Sequence, residues 1–107
     1  MKLVIDRAKW CRGGENTSLI RSEDGCMCCL GFFGLACGVP GKLMIDKAGP
    51  ASAKHSGWPE WLNDGETMLT AKHLLLEAND ESSINDSERE QRITEIFAKH
   101  GVEVEFK

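Results

Sequence analysis

The spacing of apolar and polar positions changes several times along these 107 residues, and each change marks an element. The opening "KLVIDRAKW" alternates, with Leu3 and Ile5 on one face and Val4, Ala8 and Trp10 on the other, which predicts a first strand. "CRGGEN" reads as a turn in which Gly13, Gly14 and Asn16 can take positive φ, and "TSLIR" returns as a second strand, making an N-terminal β-hairpin. "SEDG" then offers Ser22 or Asp24 as the N-cap of an apolar segment running from Cys26 to Val39. That segment has no polar face, so as a helix it belongs in the centre of the fold, with its cysteines acting as small apolar packing groups. Gly31 and Gly34 each cost roughly 1 kcal/mol against alanine in a helix, a cost that close approach of neighbouring backbone would explain.

The pattern is lost over 40–65, which holds all three prolines; only "PEWL" suggests a short helical turn. Helical spacing returns over 66–78 with Met68, Leu69, Lys72, Leu75 and Leu76, although a buried strand through "HLLLE" competes. The last 25 residues are the most regular. Asn85 can cap a helix with Glu88 three residues on, and Ile93, Ile96, Phe97 and His100 share one face. Glu88–Arg92 and Glu95–Lys99 are spaced as i,i+4 ion pairs, and Gly101 is placed to stop the helix. "VEVEF" alternates Val102, Val104 and Phe106 inward against Glu103 and Glu105 outward, as in a half-buried strand.

These elements predict one α+β domain over 1–107. Its parts are a hairpin and core helix over 1–39, an irregular segment over 40–65, and helix, helix and strand over 66–107. The hairpin and the C-terminal strand would form a small antiparallel or mixed sheet, packed by the Cys/Gly-rich helix and two others.

Charge narrows the choice of partners. The net charge of −4 disfavours nucleic acid, which needs a basic face. Residues 1–47 hold 7 basic and 5 acidic side chains, whereas 48–107 hold 6 and 12, so the second part can present an acidic surface to a basic partner or simply be a solvated face. The 14-residue apolar run is too short for a membrane span, which needs about 20. The first ten residues carry Asp6 and Arg7 where a secretory signal would be apolar. With five cysteines, an odd number, this favours reduced thiols in a cytoplasmic setting.

Four of those cysteines lie between Gly25 and Gly38. Cys26 and Cys29 have the spacing of half a zinc site, but Cys37 stands alone and His55, His73 and His100 are scattered, so no metal or other cofactor is expected. A cysteine in a first helical turn can be activated by the helix dipole, and Cys28 or Cys29, His73 and Asp80 follow the chain order of a thiol hydrolase. Trp58, Pro59 and Trp61 in the irregular segment are candidates for partner binding, since tryptophan is enriched at binding hot spots, or else they cover the core. The "RGGEN" turn could cradle an anion, but lacks phosphate-loop spacing. The acidic "NDESSIND" run lacks the glycine and ligand register of a calcium loop.

Three blocks, "MKLVIDRAKWCRGGE…SLIR", "DGCMCCLGFFGLACGVP" and "NDESSINDSEREQRITEIFAKHGVEVEF", resemble small, mostly uncharacterised accessory proteins encoded by tailed bacteriophages and prophages. "WPEWL" is similar to the middle of that family's pattern; Cys11 and Cys26 depart from it, where an apolar residue and a lysine are expected. The resemblance brings no assigned reaction and no catalytic residues. It implies a protein of the host bacterial cytoplasm that binds a host protein stoichiometrically, with inhibition of an antiviral defence system as the expected role. The alternatives are a small thiol-dependent hydrolase and sequestration of a small nucleotide signal.

Overall fold

A computed structural model describes residues 1–14, 17–62 and 70–107. Its sheet is made from the two ends of the chain: β1 (Lys2–Ile5) pairs in parallel with β2 (Glu103–Phe106), with Lys2 opposite Glu103 and Ile5 opposite Phe106. Parallel strands cannot be joined by a tight turn, so everything between them forms the crossover. That crossover supplies three helices: α1 (Cys29–Ala36), α2 (Ala71–Asp80) and α3 (Asp86–Ala98). Leu3 and Ile5 are buried and register with Val104 and Phe106, so one face of the sheet meets the helices. On the other face Val4 is exposed and Lys2 pairs with Glu105 at 3.0 Å.

The α+β class and, among the described residues, the three helices are as the sequence predicts; the hairpin is not, and the sheet is two parallel strands rather than the antiparallel or mixed sheet expected. β1 ends at Ile5 because the Asp6 side chain accepts from the Ala8 amide (3.0 Å) and starts a 3-10 turn over Arg7–Lys9. Trp10 is therefore buried while Val4 is exposed, although alternation puts them on one face. Residues 17–21 form no strand with β1. Leu19 instead lies against α1, and Ile20 makes a single parallel bridge to Ile45. A Cβ on Gly31 would stand 1.8 Å from the Leu19 carbonyl oxygen, so the close approach that Gly31 implies is real.

The Cys-rich segment is the core helix, but a shorter one than its apolar run. Asp24 does not cap it. Its carboxylate takes the Cys26 amide (3.0 Å) and the Arg21 guanidinium, closing a turn before the helix begins. Cys28 occupies the N-cap without a side-chain bond. Cys29, Leu30, Phe33 and both helical glycines are buried, whereas Leu35 at the far end is 45% exposed.

The irregular third is a series of short 3-10 turns over Gly41–Leu43, Pro50–Ser52 and Glu60–Leu62, the last at "PEWL" as expected. Helix, not strand, is the state of "HLLLE", with Thr70 as the side-chain cap; Met68 and Leu69 lie outside the described residues. In α3, Asn85 Oδ1 accepts from the Glu88 amide (2.8 Å), and Ile93 and Phe97 are buried. Glu88–Arg92 is present at 3.1 Å; Glu95 accepts from Gln91 rather than pairing with Lys99, and His100 is exposed. Gly101, at φ 77°, ends the helix, with its amide on the Ala98 carbonyl and that of Val102 on Phe97, the paired bonds of a Schellman closure.

Candidate functional site

The thiols are placed by α1. Cys28 and Cys29 stand at its N-terminus, as the activation argument requires, but they are only 1% and 0% exposed. The helix dipole favours a thiolate by about 0.3–1 kcal/mol, less than one pKa unit. Burial works the other way and is larger: Cys28 is pushed up to about 12 and Cys29 is raised well above the ordinary thiol range. The Cys29 Sγ faces the Leu75 carbonyl oxygen at 3.8 Å.

His73 and Asp80 do not complete a catalytic line. Both are on α2, seven residues and about 10 Å of helix apart. His73 Nδ1 lies 3.1 Å from Thr70 Oγ1, while Asp80 Oδ1 accepts from Thr17 (2.6 Å) and Asn79 (3.0 Å). Among the described residues no group of three or more His, Cys, Asp or Glu side chains could hold a metal ion. Cys11 and Cys26 are neighbours beside the Trp10–Met27 bridge, and burial raises the Cys11 thiol, with Cys26 adding a smaller push. Burial also raises Cys37.

Two buried, highly connected polar side chains escaped sequence analysis, Asn79 and Arg89. Asn79 is 0% exposed and uses its whole amide. Its Oδ1 accepts from Trp10 Nε1 (2.8 Å) and from the Cys29 amide (3.0 Å), so α1 is capped by a residue 50 positions away. Its Nδ2 donates to the Cys11 carbonyl (2.9 Å) and to Asp80. Arg89, 3% exposed, lies next to it and donates to the carbonyls of Ala78, Asn79, Glu81 and Ile84 at 2.8–3.1 Å. The "NDESSIND" run therefore does wrap a cation, the guanidinium of Arg89, which satisfies the carbonyl end of α2. A sequence signal existed. Asn79 follows Lys72 and Leu75 on one helical face, and Arg89 precedes Ile93 and Phe97 on another, positions that a helix turns inward. The Gly13 amide of the "RGGEN" turn is used by the Asn79 carbonyl (2.8 Å), and Glu15 and Asn16 lie outside the described residues.

The tryptophan candidates separate. Trp58 is 5% exposed, donates its indole N–H to the Ala53 carbonyl (2.8 Å) and packs where a Cβ on Gly34 would stand, so as a partner contact it is corrected to a core residue. Trp61 is half-buried. It stacks on His100 with ring centroids 4.1 Å apart and meets Phe33 and Phe97 edgewise or tilted. Pro59 is half-buried between them in sequence.

A groove of about 440 Å³ lies beside β2, lined by Thr94 and Ala98 of α3 and by Gly101, Val102, Glu103 and Val104. Exposed acidic side chains lie on the elements around it and beyond: Glu77 on α2, Glu88 and Glu95 on α3, and Glu103 on β2. No protein-family model, curated protein or solved structure matches this chain.

Proposed function

We propose that this is a phage-encoded accessory protein that binds a host bacterial protein in one-to-one proportion, as an inhibitor of an antiviral defence system. The observation that carries it is the acidic excess of residues 48–107, 12 acidic side chains against 6 basic, with Glu77, Glu95 and Glu103 exposed among exposed Arg92 and Lys99. A net excess of one sign steers a partner of the other. Buried, neutral thiols at Cys28 and Cys29 support binding over nucleophilic chemistry, because a thiolate is the attacking species. The three sequence blocks that resemble phage proteins supply the host context.

The test is capture from the host followed by native mass measurement of the purified complex and titration of the partner's activity. A one-to-one complex whose inhibition ends at equimolar protein is the expected result, unchanged in a folded Cys28→Ala or Cys29→Ala variant. Turnover at far below equimolar protein, abolished by either substitution, would overturn it in favour of a thiol hydrolase.

A further inference from the structure

We infer that the outer edge of β2 accepts an extended segment of the partner protein, alternately basic and apolar, as a third strand of the sheet; this rests on the binding reading above. The ladder sets which backbone groups are free. Glu103 donates to Met1 and Lys107 donates to Ile5, so in the parallel register the odd residues of β2 turn toward β1. The amides and carbonyls of Val104 and Phe106 therefore point away from it, and among the described residues they have no backbone partner. The groove at the start of β2 is lined by Val102, Glu103 and Val104 on one side and by Thr94 and Ala98 of α3 on the other, with no residue of β1. Thr94 already donates its hydroxyl to the Glu90 carbonyl (2.7 Å), and the groove volume leaves room for a side chain.

The chemistry of the occupant follows from the two faces of β2. An added strand places alternate residues beside Val104 in the groove, where an apolar side chain fits, and the others on the face of exposed Glu103, where a lysine or arginine forms a cross-strand pair; Glu105 is already paired with Lys2. The same glutamates disfavour a second copy. Two β2 edges paired antiparallel would set Glu103 against Glu103 or Glu105 of the other chain, and acidic edge residues are a recognised device against self-pairing.

The probe is a terminally blocked octapeptide alternating lysine and valine, with two controls: glutamate in place of lysine, and N-methylation of alternate amides. The full chain should bind the lysine peptide saturably at one to one, and the Val104 and Phe106 amides should become protected from hydrogen exchange. Neither control should bind. Val104→Pro removes the outward N–H, which proline at a sheet edge tolerates, and trims a partly buried side chain. In the folded variant, checked by its melting temperature, binding should weaken by about tenfold or more, whereas Val104→Ala, which trims the same side chain but keeps the N–H, should bind more tightly than Val104→Pro. Glu103→Lys, at an exposed site, should weaken it about fivefold without touching the fold. Absence of saturable binding, equal binding by folded Val104→Pro, or binding that leaves both amides unprotected would each overturn the inference. So would a concentration-dependent dimer that protects the same amides, since a second copy would then be the occupant. If the one-to-one host complex forms equally well with Val104→Pro, the edge is wrong and the binding reading stands. If the wild-type chain forms no such complex, the binding reading fails while the peptide still judges the edge.

Discussion

Asn79 shows how much one buried polar side chain can hold. Four hydrogen bonds meet on its amide, from Trp10, from Cys29 at the start of α1, to the Cys11 carbonyl and to Asp80. Asn79→Ala leaves the Trp10 indole, a helix-start amide and a carbonyl buried without partners, at about 1–3 kcal/mol each where nothing relaxes. We predict a loss of about 3 kcal/mol or more, read from urea unfolding; a loss below about 1 kcal/mol would mean that water replaces the amide. The thiols give a pH prediction. Cys28 and Cys29 are neutral when folded, with raised pKa values, and titrate near the ordinary value of 9.0 when unfolded. Above that pH the unfolded chain binds fewer protons than the folded one, so stability is full below about 9 and falls as pH rises toward the folded values. The urea midpoint should decline above pH 9.0, and less steeply in Cys28→Ala. A flat alkaline limb in the wild-type chain would show that these thiols are already open to solvent.

Among the elements, α3 has the clearest division of faces. Phe97 is buried against Phe33 with ring centroids 5.0 Å apart, while Glu95 is exposed and its carboxylate accepts from its helical neighbour Gln91. Phe97→Ala should cost about 3–5 kcal/mol and Glu95→Ala less than about 0.5 kcal/mol by chemical denaturation. Equal costs would mean that the helix presents another face. In α1, Gly31 shows why a poor helix former is used: the Leu19 backbone passes where a side chain would be. A methyl group there overlaps main chain that cannot move aside without shifting the 17–21 segment. Gly31→Ala should therefore lose about 1–3 kcal/mol, despite the usual gain from replacing glycine in a helix. A stabilised variant would show that the segment gives way freely.

For the molecule as a whole, the two tryptophans of "WPEWL" and its approach belong to different layers. Trp58→Ala removes a core side chain and its bond to Ala53, and should lower stability by about 3–5 kcal/mol. Trp61→Ala removes a half-buried ring stacked on exposed His100, so its smaller effect on melting leaves binding measurable. Only the Trp61 variant can thus report on a partner, and a melting shift as large as that of Trp58→Ala would place Trp61 in the core as well.

What the sequence by itself determined was whatever repeats within a few residues. The α3 stripe with its Asn85 cap and Gly101 stop, the alternation of β2, the short turn at "PEWL" and the apolar character of α1 depend on local periodicity and capping chemistry, which are readable without knowing what lies opposite. The tertiary structure decided the pairings. β1 lies beside β2 rather than beside residues 17–21, Asn79 caps α1 from 50 residues away, and Arg89 closes the end of α2. It also decided the state of the thiols, since the same helix start that would activate Cys28 also buries it. The physical reason is common to all four. Alternation states that a strand has a buried face but not which strand adjoins it, and a polar residue on an inward face states a need for partners but not their identity. Those choices are made where residues far apart in the chain compete for the same hydrogen bonds and the same buried space.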